Sequence, residues 1–129
     1  MADTEKITIN MDVVNLGQID LLVEQGFYSN RTDFIKAAIR AQLSNHSEEI
    51  KKSISKKVLD IGVICLDKKY LETKVEKNEV LDIKSVGMLI LKDDITPELA
   101  QKSIRSLKVY GVLKANEKLK EALRDRIEA

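Results

Sequence analysis

The chain of 129 residues is poor in several residue types, and each shortage excludes a class of structure. Its one cysteine, Cys65, leaves no disulfide within the chain. Together with the one histidine, His46, it is too little for a transition-metal site of imidazole and thiolate ligands. No apolar run approaches the roughly twenty residues of a membrane-spanning helix. The N-terminus lacks the layout of a signal peptide, so we expect a cytoplasmic protein.

Net charge and reactive side-chain pairs are also scarce. The formal charge is +1, which is no global signal for nucleic acid, and residues 1–46 carry four cations against six anions. The sequence has no base paired to a nucleophile, no phosphate loop and no glycine-rich fingerprint. Asp93 and Asp94 directly precede a predicted helix, and we interpret them as a turn and cap region. We therefore expect neither catalysis nor a bound cofactor.

Hydrophobic residues make up 43% of the chain, which is enough for a core. The first regular pattern that they form along the chain is typical of a β-strand. Residues 6–11, KITINM, alternate between polar and apolar. One face would carry Ile7, Ile9 and Met11, and the other Lys6, Thr8 and Asn10. A lone strand is not stable, and no similar strand follows for roughly fifty residues. The strand must pair with a distant segment or with its own copy in another chain.

Two amphipathic helices are predicted directly after this strand. The first follows Asp12, a good N-cap, and ends at Gly26. The second follows Asn30, with Asp33 three residues later in an approximate capping box. Residues 44–57 are polar and rich in lysine, and we interpret them as a partly helical extension rather than a bare linker.

In this order, the segments KITINM, LGQIDLLVEQG and SNRTDFIKAAIR resemble the ribbon-helix-helix family of Arc, MetJ and CopG-type regulators. The resemblance covers residues 5 to about 43. It implies that two protomers pair their strands into one antiparallel ribbon, with the apolar face against the helices of both chains. The polar face is then free to enter the DNA major groove.

By position, the resemblance makes Lys6, Thr8 and Asn10 the base-contacting residues. Lysine can donate to guanine, asparagine can pair with adenine in two hydrogen bonds, and threonine can contact the thymine methyl group.

The resemblance also places a phosphate contact at the start of the second helix. It assigns this contact to Ser29, Asn30 and Arg31, since the free N–H groups of a helix N-terminus attract anions. Simple capping by Asn30 is the plainer interpretation, and both can hold together. The relatives that sense nickel carry several histidines and a cysteine in a C-terminal domain, whereas this chain has only His46 and Cys65.

The C-terminal part, residues 58–129, resembles no family that we recognise. It predicts short strands near residues 58–66, 81–91 and 106–114, with two helices after the second and third strands. Cys65 lies in the apolar run IGVICL and is expected in the core. The segments GVICLDK, GMLILKD and GVLKANE suggest an internal repeat, although chance similarity explains them about as well. Exposed sheet edges here would invite pairing between protomers.

The sequence therefore predicts an α+β protein in three parts. Residues 1–46 form a ribbon-helix-helix domain that binds DNA and dimerises, residues 47–57 a helical extension or linker, and residues 58–129 a small α/β region for oligomerisation or effector sensing. The expected function is a sequence-specific transcriptional regulator, a repressor, that binds double-stranded DNA as a homodimer or a higher oligomer. The alternative is an antitoxin or other interaction module whose C-terminal half binds a partner protein.

Overall fold

The computed structural model describes residues 4–57 and 59–128, so the predicted strand start at Val58 lies outside the described residues. The chain divides into two compact units. One spans Lys6–Ser53, and the other takes in residues 4–5 and the residues from Ile54 onward. Each unit is described by itself.

The first unit contains α1 (Val13–Glu24), α2 (Arg31–Asn45) and most of α3 (Ser47–Lys57). Asp12 caps α1 by accepting a hydrogen bond of 3.2 Å from the backbone N–H of Asn15. Gly26 ends the helix at a φ of +87°, a conformation that glycine adopts without strain. The sequence predicts both ends of α1 and the start of α2, and the segment interpreted as a partly helical extension is largely the separate helix α3.

Residues 4–12, which include the predicted strand at residues 6–11, have no regular secondary structure in this one chain. A β-strand is defined by hydrogen bonds to a neighbouring strand, and only a second protomer would supply one in the predicted ribbon. The strand pairing therefore stays a prediction.

The second unit is a parallel sheet of three strands in the order β1 (Asp60–Leu66), β2 (Leu81–Leu91) and β3 (Ile104–Lys114). Its helices are α4 (Lys68–Glu76), α5 (Pro97–Ser103) and α6 (Glu117–Ala122). The two predicted helices correspond to α5 and α6, whereas α4 was not predicted. Each strand is followed by a helix, which is the connection that parallel strands require.

The repeat suggested by the sequence corresponds to a register of glycines across the sheet. Gly62, Gly87 and Gly111 are paired side by side, with φ values between +124° and +127°. A Cβ atom on Gly87 would overlap the carbonyl oxygen of Gly62, and one on Gly111 would overlap that of Gly87. The three strands therefore share this backbone conformation at the same level, and only glycine fits at the two inner contacts, Gly87 and Gly111.

The core of this unit lies between the sheet and its helices. Its fully buried side chains include Leu71 of α4, Ala100 of α5, Leu119 of α6, Leu89 of β2 and Leu107 of β3. The prediction that Cys65 lies in the core was wrong. Ile64 and Leu66 face the core, and since side chains alternate along a strand, Cys65 faces the other side and is exposed.

Candidate nucleic-acid interface

The three predicted base-contacting residues, Lys6, Thr8 and Asn10, are all exposed. The side chains between them are exposed too: Ile7 retains 76% and Ile9 67% of its accessible surface. The face of this segment that the sequence predicts to be buried is therefore in solvent in the single chain. Burying a side chain of this size is worth about 1.5–3 kcal/mol, so the exposure of both isoleucines is unfavourable.

The two helices behind this segment also expose apolar side chains. Ile19 is the one buried hydrophobic residue in the described part of this unit. The large apolar side chains left in solvent are Val13, Val14, Leu21, Phe27, Ile39 and Leu43. Several large apolar side chains exposed on one small unit are typical of a protein–protein interface.

An open cavity of about 350 Å³ lies between α1 and α2. It is lined by Met11, Asn15, Gln18, Ile19, Leu22 and Phe34. Tyr28 packs edge-on against Phe34 with ring centroids 5.0 Å apart, which fixes the phenyl ring at one side of the concavity. Its apolar floor is open to further side chains.

The start of α2 is organised as a reciprocal cap. Asn30 accepts a hydrogen bond of 2.8 Å from the backbone N–H of Asp33, and Asp33 accepts one of 3.0 Å from the backbone N–H of Ser29. This confirms capping by Asn30. Asp33 accepts from the residue before the N-cap instead of from Asn30 itself, so the contact is a variant of the predicted approximate capping box. It also places a carboxylate beside the N–H groups that the sequence assigns to a phosphate.

Arg31, the third predicted phosphate-contacting residue, binds Asp20 of α1. Its Nε and Nη2 atoms each donate a hydrogen bond of 2.8 Å to one carboxylate oxygen. These hydrogen bonds lower the pKa of Asp20 and raise that of Arg31. Both groups are about half exposed, so the pair is accessible to a competing anion.

Asp20 is the partner of Arg31 that the sequence did not indicate. It was counted only as one of six acidic residues, although it lies eleven residues before Arg31. The spacing alone carries no signal, because the contact depends on how α1 packs against α2.

A second open cavity, of about 570 Å³, lies at the carboxyl ends of the strands in the C-terminal unit. It is lined by Cys65, residues 90–94 and residues 114–116. Asp93 and Asp94 are engaged there, because they accept hydrogen bonds from Asn116 Nδ2 and from the backbone N–H of Lys68, at 3.1 and 3.2 Å. These contacts agree with their interpretation as a turn and cap region.

Neither a metal cluster nor a membrane span is found in the part of the chain that the structure describes. No group of three or more His, Cys, Asp or Glu side chains within it could hold a metal ion. None of its helices combines the length and apolarity needed to cross a membrane.

The family is decided by comparison with known proteins. The model of the Ribbon-Helix-Helix transcriptional regulator family matches residues 2–120. The chain belongs to this family. No curated protein and no solved structure matches it. Since the match continues well past residue 43, the C-terminal unit is part of the ribbon-helix-helix family pattern and not an unrelated addition. Membership indicates a DNA-binding transcriptional regulator.

Proposed function

We propose that the protein is a sequence-specific repressor that acts as a homodimer, with a two-stranded antiparallel ribbon in the DNA major groove. The observation that carries this proposal is the exposure of Ile7 and Ile9 in front of two capped helices that bury almost nothing by themselves. A second copy would cover these side chains. The same pairing would supply the hydrogen bonds that residues 6–11 lack as a strand.

In this arrangement Lys6, Thr8 and Asn10 project from the ribbon toward the base edges. They are the polar side chains in the alternation, so burial of Ile7 and Ile9 against the helices turns them outward. A two-stranded ribbon fits the width of the major groove, where every base pair presents a distinct pattern of donors and acceptors.

Ser29, Asn30 and Arg31 would contact a phosphate at each side of the ribbon. The Asn30 side chain is engaged in capping, so its contribution would come from the helix end as a whole. Arg31 would have to share its guanidinium between Asp20 and the phosphate, or release Asp20. With few cations available, affinity for random DNA should be weak.

The proposal is tested by selecting bound duplexes from a randomised pool with the full-length protein and sequencing them. The variants Lys6→Ala, Thr8→Ala and Asn10→Ala serve as the comparison. Enrichment of a short repeated or palindromic motif that the variants lose supports a regulator. A folded, dimeric protein that enriches no motif would contradict it.

Asn10→Ala gives the sharpest single prediction within this experiment. Loss of a bidentate contact to adenine should weaken binding to the preferred duplex by about 1–3 kcal/mol and binding to random duplexes little. Titration of both duplexes at one salt concentration measures the difference. Equal losses on both would mean that Asn10 does not read a base.

The antitoxin alternative has no comparable support. Antitoxin tails are commonly disordered before they bind a partner protein, whereas the described residues from β1 to α6 form a packed sheet and helix layer. A folded C-terminal unit is what a regulator with its own assembly or sensing region requires.

A further inference from the structure

The two edges of the C-terminal sheet differ in how they are protected. On the β3 side, the backbone N–H of Leu107 donates to the carbonyl of Arg126 at 2.9 Å. The N–H of Glu128 donates to the carbonyl of Leu107 at 2.8 Å, so the chain end forms a bridge to this strand. On the β1 side, no further strand pairs with the sheet among the described residues.

Charge distinguishes the same two edges. Natural edge strands avoid adding another strand by carrying charged side chains, above all lysine. β3 carries Arg105, Lys108 and Lys114. β1 reads DIGVICL and has no charge after Asp60 and no proline. β1 therefore lacks the usual means of preventing association.

The side chains of β1 that face away from the core are apolar and exposed. Ile61 retains 60% and Val63 48% of its accessible surface, and Cys65 continues the same row. A parallel sheet normally has both faces covered, so an exposed apolar row on its edge strand is unusual. Side chains of an additional strand paired with β1 would pack beside these residues and reduce their exposure.

The backbone of β1 also permits a close approach. Gly62 has a φ of +124°, as in the inner glycines, but nothing lies within 4 Å of the place that its Cβ would occupy. At Gly87 the same conformation brings the carbonyl of the adjacent strand into contact. The outer edge of β1 at Gly62 therefore has room for the backbone carbonyl of another strand.

We propose that β1 is a self-association edge, where it pairs antiparallel with β1 of a second copy to form a continuous six-stranded sheet. This inference rests on the proposed homodimer. A two-fold axis that relates the N-terminal units relates the β1 strands as well, and a strand paired with its own copy across such an axis runs antiparallel. Because α3 ends only three residues before β1, the N-terminal contact raises the effective concentration of the two strands to the millimolar range.

The test is thiol cross-linking of the full-length protein in a Cys65→Ser background. Val63→Cys places a thiol at the middle of β1, and Val80→Cys places one at a similarly exposed apolar position outside it. Ile61→Cys is a second probe of β1 in case one register separates the Val63 positions. After mild oxidation, we expect a covalent dimer from a β1 variant and none from Val80→Cys.

Sedimentation of the reduced proteins separates the possible failures. A dimer that cross-links at neither β1 position would overturn this inference and leave the proposed function intact. A monomer would overturn the homodimer and the β1 pairing together. Oligomers larger than a dimer in sedimentation would overturn the closed two-fold arrangement, since they require further or head-to-tail contacts.

A charge on the edge gives an independent measurement. Val63→Lys should raise the dimer dissociation constant roughly tenfold or more, because the charge would prevent the β1–β1 contact and leave only the contact between the N-terminal units. Val80→Lys should leave it unchanged. Equal dissociation constants for the wild type and a Val63→Lys variant of unaltered circular dichroism would contradict the pairing.

Discussion

The contact between Arg31 and Asp20 partly neutralises the positive charge at the start of α2, where we propose a DNA phosphate contact. In the free protein, two hydrogen bonds of 2.8 Å direct the guanidinium toward α1. The pair is exposed, so it contributes little to folding, and its main effect is on the local charge. Asp20 thus opposes the phosphate contact that Arg31 is proposed to make.

Opposite effects on DNA binding are expected from the two members of this pair. Asp20→Asn should tighten binding to preferred and random duplexes alike, because the released guanidinium can neutralise one more phosphate per protomer. Arg31→Ala should weaken both alike and reduce the salt dependence by about one counterion for each lost contact.

Titrations over a range of salt concentrations measure this effect. Glu24→Gln on the same helix is the matched control, because it removes the same charge without a contact to Arg31. If Glu24→Gln tightens binding as much as Asp20→Asn, general charge and not the Arg31 contact is responsible. A loss in Arg31→Ala that depends on sequence would argue against the phosphate role.

At the scale of single elements, the ladder of glycines determines the shape of the sheet. Gly87→Ala should destabilise the C-terminal unit by about 3 kcal/mol or more. It forces a side chain into the left-handed region and against the Gly62 carbonyl, and neither strain can relax within a paired central strand.

Gly17→Ala in α1 is the control for this glycine substitution. Nothing lies within 4 Å of its Cβ position, and alanine favours a helix over glycine by about 1 kcal/mol, so it should stabilise the protein. Urea unfolding followed by circular dichroism compares the two. A Gly87→Ala variant as stable as the wild type would show that the strands do not pack at this distance.

The starts of β2 and β3 are joined by an ionic contact that makes the stability of this unit depend on pH. Hydrogen bonds from Arg105 and Ser106 lower the pKa of Asp82 from its usual 3.8 to about 2. Because the pKa is depressed in the folded state, the contact stabilises fully above pH 3.8, and this stability is lost as the pH falls toward 2.

Asp82→Asn should therefore be less stable than the wild type near neutral pH, and the two should converge near pH 2. Thermal unfolding between pH 2 and 7 tests this prediction. Asp60→Asn, which alters a carboxylate at the start of β1, is the control. A difference between Asp82→Asn and the wild type that persists unchanged at pH 2 would exclude titration of Asp82 as its cause.

The sequence predicts an element correctly when the residues that determine its ends lie close together in the chain. Asp12, Gly26 and Asn30 determine helix ends through hydrogen bonds within four residues, so both ends of α1 and the start of α2 were predicted correctly. The helix α4 has such a signal too, since Asp67 caps it through Tyr70, but its charged composition hid the single buried Leu71.

Contacts between distant segments could not be predicted in this way. The parallel direction of the strands follows from the helical connections, one of which was missed. Side chains alternate between the two faces of β1, but both faces carry apolar residues. The sequence therefore does not show which face Cys65 occupies. The pairing of Arg31 with Asp20 needs two packed helices. The assignment of Lys6, Thr8 and Asn10 as base-contacting residues rests on the family resemblance and requires a second copy of the chain.

At the scale of the whole molecule, each of the two units exposes an apolar surface, and we have proposed association through both. The N-terminal unit exposes Ile7 and Ile9, and the C-terminal unit exposes the uncharged edge of β1. If both surfaces join the same two chains, loss of either should weaken the dimer without abolishing it, because the other contact still holds the protomers together.

Deletion of residues 1–11 tests this division of roles. By itself it should abolish specific DNA binding and weaken the dimer, since the ribbon is removed and β1 remains. Combined with Val63→Lys it should give a monomer at micromolar concentrations, measured by sedimentation equilibrium. The full-length Val63→Lys variant is the control and should remain a dimer that binds DNA. A dimer that survives in the doubly altered protein would mean that neither the ribbon nor β1 forms the interface, and the exposed apolar surface of α1 and α2 would then have to associate by another arrangement.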